Sequence, residues 1–223
     1  MALALFDLDN TLLAGDSDHL WGDFLSEQGA VDPAWYRAEN ERFYRAYQEG
    51  TLDIYEFLAF SLRPLSEHPL SLLERWRTAF FQSKIEPIML PAARELLARH
   101  RRAGDTLLII TATNRFVTDP IAQAFAVDAL LATEPELLNG RYTGKVCGVP
   151  CFQSGKVTRL DAWMNERDQT WAGSYFYSDS HNDLPLLERV AHPVAVDPDP
   201  QLAAAARARD WPVISLREPD SSP

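Results

Sequence analysis

The segment Ala2-Leu3-Ala4-Leu5-Phe6-Asp7-Leu8-Asp9-Asn10-Thr11 is an apolar run that ends abruptly in two carboxylates one residue apart. A continuous apolar run reads as a strand buried on both faces, which demands a parallel sheet with helices packed on each side. Acids are foreign to such an interior. At the carboxyl end of a strand, however, they stand where open α/β sheets place their ligands. Asp-x-Asp sends one side chain and one backbone carbonyl to the same side, an arrangement suited to a hard cation with oxygen ligands. Asp7 and Asp9 can equally do no more than start a turn. The rest of the chain bears on that choice.

Beyond residue 84 the pattern alternates. A helix is predicted over 91–103, ended by Gly104, followed by a buried strand Thr106-Leu107-Leu108-Ile109-Ile110. A helix over 116–126, a short strand near Leu130-Leu131, and a hairpin punctuated by Gly140, Gly144 and Gly148 come next. Then follow a helix from Gly155 to Asn165, a strand Ser174–Tyr177, a short helix Leu184–Val190, and strands at Pro193–Val196 and Val213-Ile214 around an Ala-rich helix. Strands alternating with helices imply a parallel, Rossmann-like sheet covered on both faces.

Residues 16–84 read differently. Ser17 or Asp18 can cap a helix carrying Leu20, Trp21, Phe24 and Leu25, which Gly29 would end. Pro33 opens a second helix, a third is stopped before Pro64, and Leu72, Leu73, Trp76, Ala79 and Phe80 suggest another, giving an insert of about four helices. The expected division is an α/β core of residues 1–15 and 85–223 with an all-helical cap of residues 16–84.

Lys and Arg number 21 against 32 Asp and Glu, a formal net charge of −11. Such a surface repels phosphate backbones, so no nucleic-acid partner is expected. A small phosphorylated metabolite remains compatible, because one bound metal ion and a few local cations override the overall field. No stretch is long and apolar enough to span a bilayer, and the apolar start has no basic region or cleavage-site pattern. The expectation is a cytoplasmic monomer or homodimer without a membrane partner. Cys147 and Cys151 have no neighbours that complete a zinc pattern, so free thiols are expected. The closing segment from Arg217 to Pro223 reads as a frayed tail.

Further chemistry-bearing residues fall at strand ends and helix starts. Thr111 follows the predicted strand Thr106–Ile110, with Asn114 just after it. A hydroxyl ahead of a helix N-terminus suits an anionic oxygen; Thr111 can also be only a β-branched strand residue, and Thr113 or Asn114 only a cap. Lys156 opens a helix, where its charge opposes the macrodipole. That misfit favours a functional role over a solvated one. Asp179 and Asp183 follow the Tyr175-Phe176-Tyr177 strand; Asp183 could be a cap, and Asp179 is harder to assign that way.

In order and spacing these residues resemble the haloacid dehalogenase superfamily of phosphatases. Asp7-Leu8-Asp9-Asn10-Thr11 matches its first motif, Asp-x-Asp-x-Thr; Thr111 matches the second, Lys156 the third, and Asp179 with Asp183 the fourth. The helical insert is similar to the cap of the phosphoserine-phosphatase-like branch. The resemblance covers essentially the whole chain. It implies that Asp7 attacks phosphorus to form an aspartyl-phosphate and that Asp9 exchanges protons with the leaving alkoxide and the attacking water. It implies Mg2+ held by the Asp7 carboxylate, the Asp9 backbone carbonyl and Asp179, with Asp183 behind them or reaching through water. Thr111 and Lys156 would stabilise the transferring phosphoryl group. An acid at position 9 favours phosphatase over dehalogenase chemistry, since an alkoxide needs a proton and a halide does not.

Asp16, Asp18 and His19 lie at the junction with the insert. Asp16 stands near the place where, by the resemblance, phosphoserine phosphatases bind the substrate ammonium; it can also be an ordinary loop or cap residue. The Arg-x-Arg segment of those enzymes has no clear match, although Arg37, Arg42, Arg45 and Arg63 are possible substitutes. The opening from Asp7 to Trp21 resembles a branch that hydrolyses histidinol phosphate. The implied substrate is therefore a small amino-alcohol phosphate, histidinol phosphate ahead of phosphoserine, with Asp16, Asp18, His19 and Asn114 as candidate contacts. A phosphotransferase using the same intermediate and a phospho-accepting signalling domain are the competing readings.

Overall fold

The computed structural model describes residues 2–217. Strands β1 (Leu3–Phe6), β2 (Thr106–Asn114), β3 (Ala129–Leu138), β4 (Arg141–Cys147), β5 (Tyr175–Ser178), β6 (His192–Val196) and β7 (Val213–Ile214) form one sheet in the order β4-β3-β2-β1-β5-β6-β7. Every neighbouring pair is parallel except β3 with β4. The expected α/β class with a parallel sheet is what the chain forms.

β1 is the switch point of this sheet. After it the chain builds β2 and β3 on one side, and later β5, β6 and β7 on the other. The crevice at the carboxyl end of such a strand is where doubly wound sheets bind ligands. β1 is buried on both faces, as its sequence requires: Leu3 and Leu5 join Leu108 and Ile110 in one layer, Ala4 and Phe6 join Leu107 and Ile109 in the other. The first layer is covered by α8 (Ser154–Asn165), α9 (Leu184–Leu187) and α10 (Pro200–Ala208) through Leu160, Leu187 and Leu202. The second is covered by α6 (Pro91–Ala103) and α7 (Arg115–Phe125) through Leu96, Leu97, Val117 and Ile121.

Between β1 and β2 lie α1 (Ser17–Glu27), α2 (Pro33–Gln48), α3 (Ile54–Ser61), α4 (Arg63–Glu67) and α5 (Leu70–Phe80), then a π turn and a 3-10 turn to Ile88. The extra helix beyond the expected four arises at Pro64, which opens α4 instead of only ending α3. Proline suits a first turn, where its missing N–H is not needed. The α1 cap is Asp16 rather than Ser17 or Asp18: Asp16 is extended, and its Oδ1 accepts from the Asp18 and His19 amides at 2.9 Å each. Trp21 seats α1 on the core, packing edge-on against Phe80 and Phe116.

β3 is longer than the expected short strand, because it continues past Leu131 into an antiparallel hairpin with β4. Both cysteines are free thiols, Cys147 exposed and Cys151 buried. Among the described residues no helix is long and apolar enough to cross a membrane. Of the tail expected from Arg217 onward, Arg217 itself is held, its guanidinium reaching Asp197 at 3.0 Å and the Asn10 carbonyl at 3.1 Å, and residues 218–223 lie outside the described residues.

Candidate active site

Asp7 extends β1 by one residue, its amide donating to the Tyr177 carbonyl at 2.9 Å. Its carboxylate therefore emerges at the carboxyl edge between β2 and β5. Lys156, in the first turn of α8, reaches it: Nζ donates to Asp7 Oδ1 at 2.7 Å and to Asp183 Oδ2 at 2.8 Å. Ser178 Oγ donates to the same Asp183 oxygen at 2.7 Å. Gly155 makes this possible, since a side chain there would collide with the Pro150 carbonyl and push the start of α8 away. Asp7, Lys156 and Asp183 are all buried.

The electrostatics follow from this crowding. Burial pushes the Asp7 carboxyl up to about 6, against the pull of Lys156 and with the charge of Asp183 adding to the rise. Burial acts to discharge Lys156, but Asp183 and Asp7 outweigh it and hold the ammonium protonated. Asp179 is raised well above the usual carboxylate range, first by burial and then by Asp7, with Asp183 adding to it and the Thr11 hydroxyl opposing it. Thr11 Oγ1 donates to Asp179 Oδ1 at 2.9 Å and accepts the Asp179 amide at 3.1 Å, tying the first motif to the loop after β5.

Asp9 is held by a different set. Its Oδ1 accepts the Ser17 amide at 2.6 Å, so the N-terminus of α1 is pinned to it. Its Oδ2 accepts from Thr113 Oγ1 at 2.8 Å and from Thr111 Oγ1 at 3.5 Å. Burial raises the Asp9 carboxyl to about 7, helped by the charge of Asp16 and opposed by the bond from Ser17. Such a group can both give and take a proton near neutrality. β2 shifts register between Thr111 and Asn114, and an irregularity of this kind re-aims side chains at a strand end. Thr113 was legible only as a cap; its place two residues after Thr111, on the same side of an extended chain, was the available signal.

The acids of the first and fourth motifs set what a cation would meet. Among the described residues no three His, Cys, Asp or Glu side chains converge into an all-protein metal cage. Mg2+ does not need one, because it keeps several waters and is usually held by one or two carboxylates plus substrate phosphate. Asp7 and Asp179, with the Asp9 backbone carbonyl, offer a donor set of that kind. The mutual repulsion of Asp7, Asp179 and Asp183 against a single ammonium would be relieved by a cation. Asp183 spends one oxygen on Lys156 and Ser178, which suits positioning.

A cleft opens from these acids between the strand ends and the helices. Asp16, Asp18 and His19 line its α1 side; Asn40, Phe43, Tyr44 and Tyr47 come from α2, and Leu52, Ile54 and Phe57 close the far wall. Thr111 and Lys156 lie at its floor with Asp7, Asp9 and Asp183. Asp16 both caps α1 and faces the cleft. Asp18 is pushed well above the usual carboxylate range by burial and by the neighbouring Asp16 and Asp9 charges, against the bond from Asn114. Asn114 itself does not line the cleft; it caps α7 through the Val117 amide and reaches Asp18 Oδ1 with Nδ2 at 3.4 Å. His19 is half exposed and lies 3.7 Å from Asp23.

None of the candidate arginines lines the cleft. Arg42 pairs with Glu39 and Glu56, Arg45 with Glu41, and Arg63 with Glu67, while Arg37 borders a separate groove. Contacts between α2 and the fourth-motif loop escaped the sequence reading. Tyr47 donates its hydroxyl to Ser180 at 2.8 Å, and Asn182 Nδ2 donates to the Tyr47 carbonyl at 3.1 Å. Nothing in a single chain pairs residues so far apart.

Residues 4–188 match the family model of the haloacid dehalogenase-like hydrolases. The chain is 44% identical over 219 residues to a curated histidinol-phosphatase of Neisseria meningitidis serogroup C (strain 8013), spanning 96% of this chain and 99% of that protein. A crystal structure of a protein of unknown function from Bordetella pertussis Tohama I is similar with a TM-score of 0.91 at 45% identity, over 97% of this chain and 99% of the other. A phosphoserine phosphatase solved as an analogue of its phospho-aspartyl intermediate has a TM-score of 0.71 at 16% identity, over 97% and 94%. At that identity the likeness is one of fold.

Proposed function

The chain belongs to the haloacid dehalogenase-like hydrolase family and is a phosphatase, and from that premise we propose that it cleaves histidinol phosphate to histidinol and inorganic phosphate. The observation that carries the substrate is the lining of the cleft: two acids at the α1 end, aromatic walls and, among the described residues, no arginine. Histidinol phosphate has an ammonium and an imidazole and no carboxylate. The carboxylate of phosphoserine would want a cationic partner, and Lys156 is already engaged by Asp7 and Asp183. The similarity to a curated histidinol-phosphatase supports the same substrate.

In this reading residues 16–84 are a cap that closes over the core of residues 1–15 and 85–223 and excludes water. Asp7 attacks phosphorus, and the bond from phosphorus to the substrate oxygen breaks as the aspartyl-phosphate forms. Asp9 gives its proton to the departing alkoxide. A water then attacks the same phosphorus, Asp9 takes its proton, and phosphate leaves with Asp7 restored. A carboxyl raised to about 7 supports both halves of that exchange. Lys156 and Thr111 provide donors for the equatorial phosphoryl oxygens. Mg2+ on Asp7, Asp179 and the Asp9 carbonyl would neutralise phosphoryl charge. Asp183 and Ser178 hold Lys156 in place, and Thr113 and Ser17 hold Asp9.

The test is phosphate release from histidinol phosphate, phosphoserine and p-nitrophenyl phosphate in the presence of Mg2+. Histidinol phosphate should give the highest kcat/KM by a decade or more. A phosphoserine preference of that size overturns the substrate assignment. Transfer of phosphate to added alcohols in place of free phosphate overturns the hydrolase assignment.

A further inference from the structure

Asn40 is a buried polar residue that neither the fold nor the chemistry above accounts for. It sits in the middle of α2 with 7% of its surface exposed. Its Nδ2 is fully enclosed and has no hydrogen-bond partner among the described residues, yet the residue lines the cleft. Leaving a buried amide unpaired costs stability, so such a group calls for a partner that arrives from outside. A leucine would fill the same volume without that cost.

The position is built. Gly22 of α1 faces Asn40, and a Cβ there would come within 2.9 Å of Asn40 Nδ2 and would collide with the Tyr36 ring. The missing side chain lets α1 and α2 approach closely, with Nδ2 turned against Gly22 while the residue borders the cleft; a turn of the side chain would bring its amide to the cleft wall. Distance along α1 places it relative to the reacting end. Ser17 is hydrogen-bonded to Asp9, and Gly22 lies one and a half turns further, on the order of 8 Å along the axis. Asp18 stands between the two. Phe43, one turn from Asn40 on α2, packs edge-on against Phe57 at 5.3 Å and makes the neighbouring wall apolar and aromatic.

A substrate anchored by its phosphate beside Asp7 therefore passes Asp18 before it reaches Asn40. We propose that Asn40 is a specificity-determining residue whose amide pairs with a ring nitrogen of the substrate, an imidazole seated against Phe43 and Phe57. This inference rests on the histidinol phosphate reading and deepens it. A neutral imidazole carries one N–H donor and one nitrogen acceptor, and a carboxamide supplies the complement of either. Aliphatic phosphate esters have nothing at that depth to satisfy the amide.

The test is an enzyme-by-substrate cycle. Wild type and Asn40→Leu are assayed on histidinol phosphate and on 2-aminopropyl phosphate, which keeps the ammonium and lacks the ring. The substitution should lower kcat/KM for histidinol phosphate by about tenfold, mainly through KM, and for the ring-free ester by less than about threefold. Equal losses on both substrates mean that Asn40 only supports packing and overturn the inference, as does no loss on histidinol phosphate. Should Asn40→Leu fail to fold, Asn40→Ser, polar but too short to reach the ring, is expected to give the same split. A wild-type enzyme inert towards histidinol phosphate overturns the substrate reading together with this one, whereas a failed cycle on an active enzyme overturns this one alone.

Discussion

Lys156 Nζ lies 2.7 Å from Asp7 Oδ1 and joins the first turn of α8 to the end of β1 across 149 residues of sequence. Its second bond, to Asp183, makes one ammonium the counter-charge for two buried carboxylates. Lys156→Met should leave both without it. Removing one partner of a buried ion pair costs roughly 3–5 kcal/mol, so the melting temperature should fall. Loss of the proposed donor to the phosphoryl group should lower kcat by about two decades or more. Lys156→Arg should not restore activity, because a planar fork does not replace a point charge in a pocket of this shape. Wild-type turnover in either variant would refute the role given to Lys156.

Asp7→Asn is nearly isosteric and removes the proposed nucleophile, while Asp183 keeps Lys156 paired. Phosphate release should drop to background while circular dichroism and melting remain close to wild type. Retained turnover would show that another group attacks phosphorus.

Chelation with EDTA should abolish activity, and excess Mg2+ should restore it. A binding readout is available too: Mg2+ should raise the melting temperature, since a ligand bound only by the folded state stabilises it. Asp179→Asn should weaken that shift. Ca2+ should substitute poorly because its coordination is larger and looser. Full activity in metal-free buffer is the outcome that would sink the metal assignment.

Much of this architecture was legible because buried parallel strands and acids at strand ends leave distinct marks. Leu3–Phe6 had to be a buried strand of the parallel sheet, Asp7, Asp9, Asp179 and Asp183 stand out as acids beside apolar runs, and Lys156 as a cation where a helix begins. What stayed hidden depends on encounters between distant segments. Thr113 looked like a cap and instead reaches Asp9. Asn40 is an unremarkable polar residue in a helix until Gly22 brings it against α1. Asp16 could be read as a cap or as a cleft residue, and its carboxylate is placed to be both. The candidate arginines could not be sorted from sequence, because helical spacing does not say which glutamate a surface arginine will meet.

A second buried polar chain lies away from the cleft. His100 is 2.9 Å from Asp105 by Nδ1 and 2.8 Å from the Tyr177 hydroxyl by Nε2. Burial works to raise the Asp105 carboxyl, but the bonds from His100 and the Ala2 amide prevail and hold it below its usual value. A depressed carboxylate contributes stability above its unfolded pKa, about 3.9, and loses it as pH falls through the lower folded value. Asp105→Asn should therefore flatten the loss of stability below about pH 4 and lower stability at neutral pH, as read from denaturant midpoints. An unchanged acid limb would remove Asp105 from the account.

Asp16→Asn separates the two duties of that residue. Asparagine caps a helix about as well as aspartate, so α1 should remain seated and the fold intact. What disappears is the negative charge at the α1 end of the cleft. A charge-assisted hydrogen bond is worth roughly 1.5–3 kcal/mol, or about one to two decades in kcat/KM. The loss should fall on substrates that carry an ammonium, so the preference for histidinol phosphate over p-nitrophenyl phosphate should shrink by that factor. The melting temperature reports the cap and the substrate ratio reports the charge. If the ratio holds at its wild-type value, Asp16 is a cap alone, and Asp18, the remaining acid on that wall, becomes the residue to substitute for the ammonium contact.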